Sequence, residues 1–335
     1  MIEQINERSP TSRQIEINQH FEAIFHPFAK TKRDALYAQN PPARFVHYTS
    51  AESALKIITS KRLWMRNTTC MADYREVQHG YGILVRYFAD LQKRSTFVQS
   101  IEQCAPGVAN EAMNLFDQWR FDIGANTYIT SVSEHDDRED NHGRLSMWRA
   151  FGDAKVARVA IVIRVPFYSA AQDDLKVFFS PVTYLDESEA HQVMDAVVKN
   201  VYNNPGFLAN ISRAELVTRV FNMFVASVSC VKHEGFHEER EWRVIYSPNR
   251  QASQLIDSSI ETIGGVPQVV HRLPLDAKRA AVLADLDLYR ILDRVIIGPS
   301  SYPLVMHDAF VKALSKGGLT DARNRVVSSD IPIRS

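Results

Sequence analysis

Glu239 and Glu241 are two carboxylates separated by one residue, at the head of a run that alternates polar and apolar side chains as far as Tyr246. A period of two predicts a strand, and on a strand both carboxylates point the same way. Two carboxylates on one face repel unless something positive shares their site. The pattern fits a solvated strand edge, since charged residues are mostly exposed. It also fits a carboxylate pair facing a transition state that develops positive charge.

Other residues could serve such a site. His47-Tyr48-Thr49 ends a short predicted strand just before a helix. A histidine there either donates to a ribose hydroxyl or phosphate, or is satisfied at the strand–helix junction. Tyr128 to Ser133 reads as a strand with Ser131 and Ser133 on one face, small hydroxyl residues that let a ligand approach closely. Ser146-Met147-Trp148-Arg149 reads as a short helix carrying an aromatic wall. Asp73 and Glu76 are spaced for one face of a first helical turn, where acidic residues are favoured whether or not they act.

Two segments invite a metal. His233-Glu234-Gly235-Phe236-His237 fits H-E-x-x-H, which on a helix places two histidines and a general base around zinc. The context opposes it. Gly235 lies inside the required helix, charged Lys232, Glu238 and Glu239 flank it, and the third-ligand candidate Glu261 falls in loop-like sequence. Glu134, Asp136, Asp137, Glu139 and Asp140 cluster with His135 and His142, a composition that predicts a solvated, flexible loop ahead of a divalent-cation site. No metal is expected, and a zinc hydrolase is kept as an alternative function.

The elements that must position these residues follow from pattern. Residues 1–43 form a helical lead-in closed by Pro41-Pro42, residues 44–300 a main domain with helical insertions at 74–122 and 187–231, and residues 301–335 a C-terminal helix and tail. Val156 to Val165 is almost wholly apolar and β-branched, as a central buried strand is. The segment 248–268 reads as loop. Strands and helices mix without regular alternation, so the class is α+β, not a doubly wound sheet. Lysine plus arginine and aspartate plus glutamate both number 39, so no global field recruits nucleic acid. Three scattered cysteines suggest neither a zinc site nor a disulfide framework. The polar, acidic N-terminus is not a signal peptide, and no apolar run is long enough to span a membrane, so a cytoplasmic protein is expected.

In order, His47-Tyr48-Thr49, Asp73 to Glu76, Ser131-Val132-Ser133, Met147-Trp148, Lys232 with Glu239-Arg240-Glu241-Trp242-Arg243, and Ile296-Ile297-Gly298-Pro299 resemble the pattern of a bacterial family, domain-of-unknown-function family 2971. Ala72 stands where that family has asparagine. The layout in turn resembles the ADP-ribosyltransferase architecture. That resemblance implies a mixed, mainly antiparallel sheet core and NAD+ as substrate. It implies catalytic roles for Glu241, Glu239 and His47, with Glu241 opposite the developing cation, Glu239 orienting an acceptor and His47 holding the ribose. His47, Tyr48, Thr49, Ser131, Ser133 and Trp148 would line the NAD+ site, with Tyr48 or Trp148 stacking on nicotinamide. The product would be a modified protein or nucleic acid, or hydrolysed NAD+, with a role in phage defence or as a toxin. A non-catalytic interaction module on the same scaffold is the other alternative. On this reading His47 and Glu241 open into one cleft, and Glu241→Gln leaves the melt unchanged.

Overall fold

The computed structural model describes residues 12–39, 43–70, 74–150, 156–167, 169 and 171–332, backbone only at 12–14, 39, 74–76 and 120–124. Pro41, Pro42, Ala72 and Asp73 lie outside the described residues. The chain divides into two compact units, one of residues 1–35, 72–125 and 183–234 and one of residues 36–71, 126–182 and 235–335.

Twelve strands occur among the described residues: β1 (Ala43–Ser50), β2 (Arg62–Asn67), β3 (Tyr128–Glu134), β4 (Arg158–Val165), β5 (Val177–Pro181), β6 (Thr183–Tyr184), β7 (Val231–Lys232), β8 (Glu241–Tyr246), β9 (Asp257–Ile263), β10 (Val266–Pro274), β11 (Leu292–Ile297) and β12 (Val326–Ser328). The first unit is helical. It contains Ser12–Phe25 from the lead-in, Tyr74–Ala89, Leu91–Glu102 and Val108–Asn126 from the first insertion, and Glu187–Asn203 and Arg213–Ser229 from the second. Their apolar stripes merge into one core around Phe21, Phe97, Val220 and Phe224. The helices Tyr74–Ala89 and Arg213–Ser229 approach closely at Gly80, where a Cβ would lie 2.7 Å from the Val228 carbonyl oxygen. The parallel pair β6–β7 belongs to this unit.

The second unit is built on a ten-stranded sheet in the order β12-β11-β4-β1-β3-β2-β10-β9, with β8 and then β5 added beside β3. Every pair is antiparallel except β11–β12. The apolar run of β4 lies where the pattern places it, flanked by β1 and β11. The architecture is a mixture of helices and strands around a mainly antiparallel open sheet.

β3 is the branch point. One of its edges pairs with β8 from Tyr128 to Ser133. The other is shared, with β1 at Ser133 and Glu134 and β2 at Tyr128 and Ile129. Thr130, Ser131 and Val132 therefore face a split between β1 and β2.

The helix Ala51–Ser60 is capped by Ser50, whose hydroxyl accepts from the Ser53 amide at 3.1 Å. Two local expectations change. The supposed loop at 248–268 contains most of the β9–β10 hairpin. Its turn is Gly264-Gly265, with φ of 59° and 80°, a backbone that only glycine adopts without strain. Glycine-rich punctuation read as loop was a hairpin signal. In the C-terminal tail, Val326–Ser328 adds a parallel edge strand to β11.

Candidate active site

β8 begins at Glu241. Glu239 closes a 3₁₀ helix, Glu234–Glu239, and Arg240 between the two has φ of 44°, in the left-handed region. The two carboxylates are therefore not alternate residues of one strand, and the paired-face reading is corrected. Left-handed backbone costs a non-glycine residue roughly 1–2 kcal/mol. The turn is held from outside. The Arg240 guanidinium donates to Glu139 at 2.5 Å, and the Glu134 amide donates to the Arg240 carbonyl at 3.0 Å. Arg144 donates to the Glu238 and Glu239 carbonyls at 2.8 and 3.2 Å.

Glu241 is only 4 % exposed. Arg243 donates to it twice, Nε to Oε1 at 2.8 Å and Nη2 to Oε2 at 3.1 Å, and the Ser131 hydroxyl donates to Oε1. Register explains the grouping. Ser133 lies opposite Glu241 and Ser131 opposite Arg243, and directly opposed residues share a face. Val46 lies opposite Ser133, which brings Val46 and Tyr48 of β1 to the same face. Glu241, Arg243, Ser131, Ser133 and Tyr48 thus converge.

His47 does not join them. It alternates with Val46, so it lies on the other face with Phe45, Val132 and Trp242, and Thr49 goes with it. The single cleft expected for His47 and Glu241 does not form. The reason is parity: an odd step along β1 against an unbroken register puts the two side chains on opposite faces. β1 and β8 are also not neighbours, because β3 lies between them. His47 is half-buried, and burial lowers its pKa. Its Nδ1 lies 2.9 Å from the Ser131 carbonyl oxygen, within the split. A carbonyl only accepts, so Nδ1 carries the hydrogen.

Tyr48 and Trp148 are brought together, but not as open rings. Both are buried, packed edge to face at 4.8 Å. The Trp148 indole N–H donates to the His142 carbonyl at 2.8 Å, and the ring is flanked by Gly143 and Gly298, where a Cβ would lie 2.6 and 3.0 Å from it. The Tyr48 hydroxyl accepts from the Arg144 amide at 2.8 Å, and burial pushes its pKa up to about 12. These rings form a wall of the fold, and the nicotinamide-stacking role is corrected.

The acidic loop is tied to the sheet by ion pairs, although Asp137 and Arg138 face solvent. Arg44, buried in β1, is bound by Asp137, Asp140 and Asp293 at 2.5, 2.5 and 2.6 Å. His135 is buried 2.9 Å from Asp140. Arg144 and Arg240 share Glu139. Asp136, Asp137, Glu139 and Asp140 are bound to arginines, and Glu134 accepts from the Trp242 indole N–H at 2.8 Å. Arg44, Glu139, Arg144, Arg240 and Asp293 were missed as structural determinants of this site, because their partners lie up to 249 residues apart and no local spacing reveals them.

The H-E-x-x-H segment is also not the helix that zinc needs. Lys232 ends β7, and Glu234–Glu239 is a 3₁₀ helix, where residues four apart no longer share a face. His233 and His237 are exposed, and Glu261 sits on β9 accepting from Ser259 at 3.1 Å. Among the described residues no group of three or more histidine, cysteine, aspartate or glutamate side chains is placed to hold a metal. No helix among them is long and apolar enough to cross a membrane.

The family model described as "Protein of unknown function (DUF2971)" matches residues 147–244, from the Met147-Trp148 pair to Val244 in β8. The match carries the resemblance for those two pieces and what lies between them, less than a third of the chain. No curated protein and no solved structure matches.

Proposed function

We propose that the chain acts on the nicotinamide–ribose bond of NAD+, as an ADP-ribosyltransferase-like enzyme that modifies a protein or nucleic acid or as an NAD+ glycohydrolase. The observation that supports this most is Glu241 at the start of β8, on one face with the hydroxyl residues Ser131 and Ser133. Breaking the bond creates an oxocarbenium-like centre, which a fixed carboxylate stabilises. Arg243 and Ser131 hold both Glu241 oxygens, so the group needs little reorganisation when charge develops. Ser133 is the candidate for a ribose hydroxyl contact. Glu239, beyond the Arg240 turn, is the candidate for orienting water or an acceptor. His47 becomes a positioning residue, acting through the Ser131 carbonyl from the opposite face. Bulk consumption of NAD+ would suit a toxin or a phage-defence effector.

One observation favours a second reading. Both Glu241 oxygens already have protein partners, as in a purely structural ion pair. On that reading the chain is a non-catalytic interaction module. Purified protein incubated with labelled NAD+, alone and with cell lysate, separates the two. The enzyme reading expects NAD+ loss or transferred label, reduced in Ser133→Ala and Glu239→Gln proteins that melt like wild type. No NAD+ loss and no label from folded wild-type protein would overturn it. About one zinc per chain, lost in His233→Ala, would move the assignment to a zinc hydrolase.

A further inference from the structure

We propose that β9 is a self-association edge, pairing antiparallel with β9 of a second copy about a two-fold axis at Ile260. β9 ends the sheet, and among the described residues nothing pairs its outer edge. Exposed edges are normally blunted by lysine, proline, a bulge or shortness. β9 has seven residues, no lysine, no proline and an unbroken register with β10, and of its two charges Asp257 is already held by arginines of the same sheet, leaving Glu261. Ile260, its middle residue, is 76 % exposed. Its cross-strand neighbour Val269 and the nearby Val266 are exposed as well.

The strand is complementary to itself. Pairing centred on Ile260 sets Asp257 against the partner's Ile263, Ser258 against the partner's Thr262 and Ser259 against the partner's Glu261. No like charges meet directly. Ile260 meets the partner's Ile260 on one face, and each already lies beside its own Val269, so four apolar side chains form a row across four strands. On the opposite face, Arg62, Arg272 and Arg279 converge on the single Asp257 carboxylate at 2.6, 3.1 and 3.4 Å. That end of the edge carries excess positive charge, and the partner's Glu261 arrives diagonally beside it. Seven paired residues bury less than the ~1,200–2,000 Å² of a stable complex, so the dimer is weak and depends on concentration.

Sedimentation of the full chain over a range of concentrations tests this. The expected result is a monomer–dimer equilibrium in wild type that Ile260→Lys shifts at least tenfold toward monomer with an unchanged melt. Register is tested separately in a Cys70→Ser background, since Cys70 is exposed. Ile260→Cys should cross-link to its own copy under mild oxidation, because opposed residues lie within disulfide reach. Thr262→Cys should not, because it faces Ser258. A wild type that stays monomeric, or a dimer indifferent to Ile260→Lys, overturns the proposal. So does cross-linking at 262 in place of 260.

Discussion

Arg243 binds Glu241 from two residues further along the same face of β8, with both side chains almost fully buried. A carboxylate in this position is part of the structure as well as a candidate for chemistry. The expectation that its charge could be removed without affecting the melt is therefore revised. Removing one partner of a buried ion pair costs roughly 3–5 kcal/mol, because the remaining charge stays in low dielectric. Glu241→Gln should lower the melting temperature by several degrees, whatever it does to NAD+ turnover. Ser131→Ala removes one hydrogen bond and should cost only about 1 kcal/mol. Thermal melts of both variants check the order, and an unchanged Glu241→Gln melt would contradict it.

Arg240 gives a backbone test. Its φ of 44° favours glycine, so Arg240→Gly and Arg240→Ala both lose the contact with Glu139 but differ in strain. Arg240→Ala should be the less stable by about 1 kcal/mol, the reverse of the order inside a helix. Urea denaturation of the pair measures the difference directly.

Gly143 has φ of 69°, and a Cβ there would lie 2.6 Å from the Trp148 ring. Gly143→Ala meets both a strained backbone and a clash with a buried ring, and should cost roughly 1–3 kcal/mol. Displacement of Trp148 should also alter its fluorescence and the near-ultraviolet circular dichroism. Gly264→Ala has a strained φ but open space, so it should leave those tryptophan signals unchanged.

Acid sensitivity should begin well above the carboxylate range. His26 is lowered from 6.5 to about 4 by burial, then by the charges of Arg33 and Arg219. Its folded pKa lies below its unfolded one, so as pH falls the unfolded chain takes up a proton first. Stability contributed by the neutral imidazole is intact above pH ~6.5 and declines as pH approaches 4, by about 3 kcal/mol at most. His47, His135 and His271 are lowered in the same direction, each chiefly by burial, and add to the decline. Unfolding free energies measured between pH 7.5 and 4.5 should fall steadily, and less steeply in His26→Gln. A flat profile in wild type would be inconsistent with histidines held neutral by the fold.

Much of the frame was legible because its signals are local. The β-branched run of β4, the alternation of β8 and the stripes of Glu187–Asn203 and Arg213–Ser229 each lie within one window of sequence. The β9–β10 hairpin was not legible as read. Asp257 to Ile263 has only two apolar residues, and Gly264-Gly265 fits loop composition as well as hairpin-turn chemistry. The acidic loop misled for the opposite reason. Its composition is that of solvated chain, but its carboxylates answer Arg44 on β1 and Arg294 on β11, which no window contains.

The sequence by itself determined which residues could do chemistry and that Glu241 and Arg243 share a strand face, because side-chain period is a property of the backbone. Only the tertiary structure decided which of those residues meet. Register across β1, β3 and β8 placed Ser131, Ser133 and Tyr48 with Glu241 and sent His47 to the far side. A left-handed residue set by Glu139 and Arg144 separated Glu239 from the strand. Pairing register and long-range ion pairs are set by contacts between segments far apart in the chain, and spacing within a segment carries no record of them.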